Sequence, residues 1–176
     1  MRVRRKGWMT LALVGVLLPA LALAAVPVGQ QLPFFVGTDL TGTQRRSTEL
    51  TGQPAVVIAA TSRSASGEAQ EWADALVQRL GDRVPLLTLI AIDLPFFISD
   101  DMALGMARDR IPHAYWKRTW LGGEGDIQRA LQLEPGSDMP YVFTLDSQGL
   151  ITAAVHGRVD DPEAARIWLT LGVPRW

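Results

Sequence analysis

The sequence predicts an α/β protein: a three-layer sandwich with a central mixed β-sheet, preceded by a signal peptide or an N-terminal anchor helix. Three observations carry this. Ala55-Val56-Val57-Ile58-Ala59-Ala60 and Leu86 to Ile92 are apolar runs of strand length, as suits central strands covered on both faces. A well-defined amphipathic helix lies between them. Towards the C-terminus two short apolar segments flank a turn and are followed by another helix. The resulting order, β-β-α-β-α-β-α-β-β-α, is that of a layered sandwich.

Each element has a local cause. The first 24 residues combine a basic start (Arg2, Arg4, Arg5, Lys6), an apolar run from Trp8 to Leu23 and the small-x-small sequence Ala22-Leu23-Ala24. These are the three parts of a secretory signal, with cleavage expected before Ala25. The apolar run is also close to the roughly 20 residues that span a bilayer, so an uncleaved anchor is the competing reading. In either case the domain is exported, to the periplasm or the outer face of the inner membrane. Residues 25–33 read as a linker and residues 34–176 as one domain. Phe34 to Thr38 reads as a strand, followed by the turn Asp39-Leu40-Thr41-Gly42-Thr43. Ala69, Trp72, Ala73, Leu76, Val77 and Leu80 fall at helical spacing on one stripe. Ser64 or Ser66 is expected to cap that helix, Glu68 and Glu71 to sit in its early turns, and Gly81 to end it. Asp100 to Arg110 reads as a short helix, with Asp100-Asp101 as its cap rather than a calcium loop.

Ala114 to Leu121 is ambiguous. As a strand, its alternation places Trp116, Arg118 and Trp120 on one side. Asp126 is positioned to cap a short helix through Leu133. Tyr141–Leu145 and Ile151–Val155 form a hairpin around Asp146-Ser147-Gln148-Gly149. Asp161 followed by Pro162 opens the last helix, with Ile167, Trp168 and Leu171 on its buried side. Leu-Pro-Phe-Phe occurs at Leu32–Phe35 and again at Leu94–Phe97, but the flanks do not repeat.

The strand Ala55–Thr61, the segment Ser62-Arg63-Ser64-Ala65-Ser66-Gly67 at the start of a helix, and the later Asp138-Met139-Pro140-Tyr141 together resemble the thioredoxin-like superfamily, in its secreted and peroxiredoxin-like branches. Asp39-Leu40-Thr41-Gly42-Thr43 and Leu50-Thr51-Gly52-Gln53-Pro54 resemble the lead-in segments of its secreted members. The chain is most similar in kind to cysteine-poor, YtfJ-type periplasmic proteins. In redox-active members one or two cysteines open this helix; here the matching positions are Ser64 and Gly67, and the chain has no cysteine. A hydroxyl cannot do thiolate chemistry, so thiol-disulfide and peroxidase activities are excluded. The resemblance implies a cis bond at Met139–Pro140 and a peptide-binding groove formed by Ser62, Arg63, Ser64, Met139 and Pro140.

No catalytic or metal-binding residue and no cofactor is expected. A serine nucleophile needs an adjacent base, and the two histidines, His113 and His156, lie in no hydrolase motif. Met102 and Met106, at i and i+4, fit a core stripe better than a copper site. Without the four basic residues of the leader the chain carries 13 Lys and Arg against 18 Asp and Glu, a net charge of −5. That argues against nucleic acid and anionic lipid as partners, and contact with a membrane is expected only through an uncleaved leader. Tyr115, Trp116, Arg118 and Trp120 interleave aromatic and basic residues as interfaces do, and packing of these tryptophans into the core is the alternative. The function expected is a redox-inactive exported domain that binds protein, as an assembly factor, chaperone-like adaptor or accessory subunit of an envelope complex. The alternative is a thiol-independent enzyme using Ser64, Arg63, a histidine and the Pro140 groove on a small substrate, in a deep polar pocket.

Overall fold

The computed structural model describes residues 25–122 and 126–173. The expected leader, residues 1–24, lies outside them. Seven strands form one sheet: β1 (Val36–Asp39), β2 (Gln44–Arg46), β3 (Ala55–Ala60), β4 (Leu86–Ile90), β5 (Thr119–Leu121), β6 (Tyr141–Leu145) and β7 (Ile151–His156), in the order β2-β1-β5-β4-β3-β6-β7. β3, β4 and β5 are parallel, whereas β6, β7, β1 and β2 pair antiparallel, which makes the sheet mixed as expected. The helices are α1 (Arg63–Leu80), α2 (Asp100–Arg108), α3 (Asp126–Leu131) and α4 (Ala165–Thr170).

β3 is buried along its whole length because both of its faces are covered. Val56, Ile58 and Ala60 meet α1 and α4; Val57 and Ala59 meet the layer that contains α3, Phe35 and Trp120. α1 buries Ala65, Ala69, Trp72, Leu76 and Leu80, the stripe seen in the sequence. Trp72 is fully buried, stacks on Trp168 of α4 at 5.6 Å, and donates its indole N–H to the Gly157 carbonyl at 2.9 Å. One side chain thus locks α1, α4 and the end of β7 together. On the opposite face α3 packs so closely that a Cβ on Gly122 would lie 2.7 Å from Ile127. The β6–β7 hairpin turns on Asp146, whose Oδ1 accepts the N–H groups of Gln148 and Leu150, and on Gly149, whose φ of 80° suits glycine.

Several local expectations need correcting. The cap of α1 is Ser62, not Ser64 or Ser66: its extended backbone frees its Oγ to accept from Ala65 N–H at 3.1 Å, while Ser64 and Ser66 lie inside the helix. Glu68 lies beyond the first turn and is held by Arg158 at 2.6 Å. Ser99, not Asp100 or Asp101, caps α2. Met102 and Met106 are 55% and 41% exposed, so they are not core residues. An extra strand, β2, pairs with β1. The ambiguous segment Ala114–Leu121 divides: a 3-10 helix covers His113–Arg118, and Thr119–Leu121 joins the sheet. No peptide bond among the described residues is cis, so Met139–Pro140 is trans. Ser137 Oγ accepts from Met139 N–H at 3.2 Å and lies 3.1 Å from Met139 O, and this bridge bends the chain with the ordinary isomer.

Candidate functional site

Around Ser64, one of the two positions expected from the resemblance to match a thiol, the side chains form a set of hydrogen bonds. Ser64 Oγ donates to Asp138 Oδ1 at 2.6 Å, and Ser62 Oγ donates to the Ser137 carbonyl at 2.7 Å. Thr61 Oγ donates to the Glu134 carbonyl and accepts from Ser137 N–H. These bonds tie the first turn of α1 to the loop 134–140. Ser137 Oγ lies 2.7 Å from His156 Nε2, and the His156 ring stacks on Tyr141 at 4.0 Å. Ser64 contacts Asp138 rather than a histidine, and His113 packs at 4.6 Å on Trp116 in another part of the molecule. The arrangement offers Ser64 no imidazole base.

The structure also redistributes the expected groove. Ser62 and Ser64 do lie beside Ser137–Pro140, as expected. Met139 N–H and C=O are both engaged by Ser137, Pro140 is buried, and its carbonyl accepts from Gly157 N–H at 3.1 Å. No strand-like edge is left there for a peptide to pair with. Arg63 lines a different cavity, and Gly67 is exposed on α1 with nothing within 4 Å of an added Cβ.

That cavity is a broad cleft among the described residues. It holds about 540 Å³ between α1 and α2, above the ends of β4 and β5, within the roughly 300–1,000 Å³ typical of binding pockets. Its floor is Thr88 and Ile90 of β4 and Leu121 of β5, and its far wall is Ile98 and α2. The reason it is open lies in the layers. α1 packs mainly on β3 with a smaller contact to β4, α4 packs on β6 and β7, and α2, a nine-residue helix, does not pack closely on β4 or β5. A narrower pocket of about 50 Å³ continues it alongside α1, lined by Ala73, Val77, Tyr115 and Arg118; the two share Gln70, Thr88 and Ile111. Together they form one groove. Met106, 41% exposed, lines it, and the loop that supplies Leu94, Pro95 and Ile98 to its wall also carries the exposed Phe96 and Phe97. Exposed apolar groups contiguous with a cleft mark binding surfaces.

The aromatic-basic segment divides between groove and core. Trp120 is 4% exposed and packs edge-on to Phe35, because it lies beside Leu89 on the sheet face opposite the groove. Trp116 is a brace: its indole N–H donates to the Ile111 carbonyl at 2.9 Å and Arg108 lies over its ring. Tyr115 and Arg118 do reach the groove. Residues i and i+3 eclipse in a 3-10 helix, which places the Arg118 guanidinium 4.2 Å above the Tyr115 ring. Arg118 Nε is buried with no hydrogen-bond partner among the described residues.

The groove's outer wall is anchored from a distance. The Asp39 carboxylate is fully buried and accepts from Thr41 N–H and Oγ, Thr43 N–H and Arg45 Nε. Burial pushes its pKa up, but the bonds from Thr41, Arg45 and Thr43 prevail and hold it below the ordinary aspartate value. The turn so fixed presents the Leu40 carbonyl to Arg108 Nε at 2.6 Å, at the end of α2.

Sequence reasoning missed the groove residues contributed by Gln70, the loop Asp93–Ile98 and Arg110. The available signal was Leu94-Pro95-Phe96-Phe97, an apolar stretch with neither strand alternation nor helical spacing. Among the described residues no group of three or more His, Asp or Glu could hold a metal ion.

Comparison with known proteins establishes the class. The pneumococcal exposed lipoprotein thioredoxin of Streptococcus pneumoniae aligns over 79% of this chain and 98% of its own, with a TM-score of 0.55 and 14% identity. A thio-disulfide isomerase from Thermus thermophilus aligns over 85% and 100%, with a TM-score of 0.56 and 17% identity. A thiol peroxidase from Chromobacterium violaceum aligns over 84% and 87%, with a TM-score of 0.56 and 13% identity. No family model and no curated protein matches. The chain has a thioredoxin-like fold. With no cysteine in its sequence, it lacks the group on which thiol-disulfide chemistry depends.

Proposed function

We propose that this protein is a redox-inactive, exported thioredoxin-like domain that binds a protein partner through the groove between α1 and α2. The observation that carries the reading is the open, largely apolar groove, lined by the exposed Met106 and by the loop that also carries the exposed Phe96 and Phe97, next to a helix start filled by hydrogen-bonded hydroxyls. Apolar surface held in water in and beside a cleft is unfavourable, and a partner that covers it relieves this. Export is supported by the leader-like N-terminus and by the exposed lipoprotein among the structural neighbours. No helix among the described residues is long and apolar enough to cross a membrane. An adaptor, assembly factor or accessory subunit of an envelope complex fits these features.

The test is co-purification. A tagged chain expressed in its own host should retain a defined protein from the envelope fraction, and the pure protein should not reduce insulin disulfides above a buffer control. Insulin reduction would overturn the redox-inactive reading. Retention of nothing beyond a tag-only control would overturn the binding reading.

A further inference from the structure

We infer that the groove takes an extended peptide segment that carries apolar side chains and a carboxylate, with the apolar residues in the wide end and the carboxylate on Arg118. This rests on the protein-binding reading and names the chemistry of the partner.

The dimensions favour an extended chain. The residues of α1 that line the two pockets run from Arg63 to Val77. Fourteen residues of rise at about 1.5 Å each give a groove of roughly 21 Å, enough for about six residues of extended peptide at about 3.3 Å each. The floor presents side chains rather than a free strand edge, since β4 and β5 are each paired on both sides. Selection therefore falls to the partner's side chains. The wide end, floored by Ile90 and Leu121 and walled by Ile98 and Ala107, suits apolar ones.

Charge sets the polar requirement. Three arginines line the groove, Arg63 and Arg110 at the wide end and Arg118 at the narrow end. None has a carboxylate partner among the described residues. The acidic groups facing the groove are Asp93 and Asp74, and Asp74 already accepts from Gln70 at 2.8 Å. The groove is thus net positive on a domain that is net negative beyond its leader. Arg118 is the most specific of the three. Its guanidinium lies 4.2 Å over the Tyr115 ring, which fixes its direction, and it has no ion-pair partner among the described residues. A carboxylate that reaches the terminal guanidinium nitrogens, which have no hydrogen-bond partner among the described residues, makes charge-assisted hydrogen bonds.

The experiment selects random dodecapeptides displayed on phage against protein purified from cells expressing the full chain. Enriched sequences are then synthesised with a fluorescein label and titrated by anisotropy. The expected result is enrichment of Asp or Glu among apolar residues, with Kd raised tenfold or more by Arg118→Gln and unchanged by Arg166→Gln, on the exposed side of α4. Gln70→Trp, an exposed helix position shared by both pockets, should abolish binding at an unchanged melting temperature. Arg118→Lys provides a second variant should the glutamine lower stability. Enriched peptides without acidic residues, or Arg118 variants within twofold of the parent, would overturn the carboxylate assignment. Binding indifferent to Gln70→Trp would overturn the placement in the groove. Self-association of the protein abolished by Gln70→Trp would assign the groove to a second copy and overturn the peptide. None of these outcomes touches co-purification of a partner, so the parent reading fails or stands separately.

Discussion

Asp39→Asn should destabilise the protein by about 2–3 kcal/mol at neutral pH, and the size of the loss follows from the geometry. The side chain is fully buried and its two oxygens divide the work: Oδ1 accepts from Thr41 and Thr43, and Oδ2 accepts from Arg45 Nε at 2.8 Å. Asparagine keeps an oxygen for the turn but sets an amide N–H against the Arg45 donor. Breaking a buried ion pair by removing one partner costs about 3–5 kcal/mol. Arg45 is 29% exposed and also reaches Glu49 at 3.2 Å, so it is not stranded. The loss then falls towards the roughly 1.5–3 kcal/mol of one charged hydrogen bond. For a domain of this size that lowers Tm by roughly 5–10 °C. Urea unfolding of parent and variant measures it, and a loss below about 0.5 kcal/mol would refute the assignment.

The pH dependence provides a second check on the same residue. The Asp39 pKa is lowered in the folded state, so its contribution is complete above the ordinary aspartate value and is lost as pH falls through the folded value. The gap between parent and variant should be constant from neutral pH down to the ordinary carboxylate range and close below it. A gap that persists unchanged there would mean that shape, not charge, sets the loss.

Further predictions separate groove, core and degenerate thiol positions. Trp120→Ala should cost about 3–5 kcal/mol, as a lost core aromatic does, whereas Trp116→Ala, at a half-buried brace, should cost less; equal losses in urea would contradict the assignment of the two faces. Ser64→Cys combined with Gly67→Cys should oxidise to a disulfide on exposure to air, because the two positions are one helical turn apart, within the Cα separation a disulfide takes. Two free thiols by titration, with the helical signal intact, would show that these positions do not face each other.

Much of the frame was legible in the sequence because it repeats with a period. The runs at Ala55–Ala60 and Leu86–Ile90, the stripe Ala69–Trp72–Leu76–Leu80 and the turn at Asp146–Gly149 all fall where the sequence placed them. Ala114–Leu121 was ambiguous in the sequence because it is two elements, a 3-10 helix over His113–Arg118 running directly into the three-residue strand Thr119–Leu121. The isomer at Pro140 was inferred from resemblance alone, and the hydroxyl of Ser137 that shapes that bend gives no periodic signal. The groove was illegible for another reason. Its residues come from α1, β4, the loop 93–98, α2 and β5, which meet only through the sheet order. Met102 and Met106 have core spacing, but α2 buries Ala103 and Leu104 instead, and the methionines remain exposed.

The central claim is that this protein acts by binding through the α1–α2 groove and not at the thiol position of its fold. Site-specific photo-crosslinking in the native host tests it most directly. A photoreactive residue replacing Gln70, which lies where the two parts of the groove meet, should form a discrete adduct with one protein. The same residue replacing Ser64, whose hydroxyl donates to Asp138 outside the groove, should form none. A discrete adduct from position 64 with none from position 70 would contradict the claim and return the functional site to the start of α1.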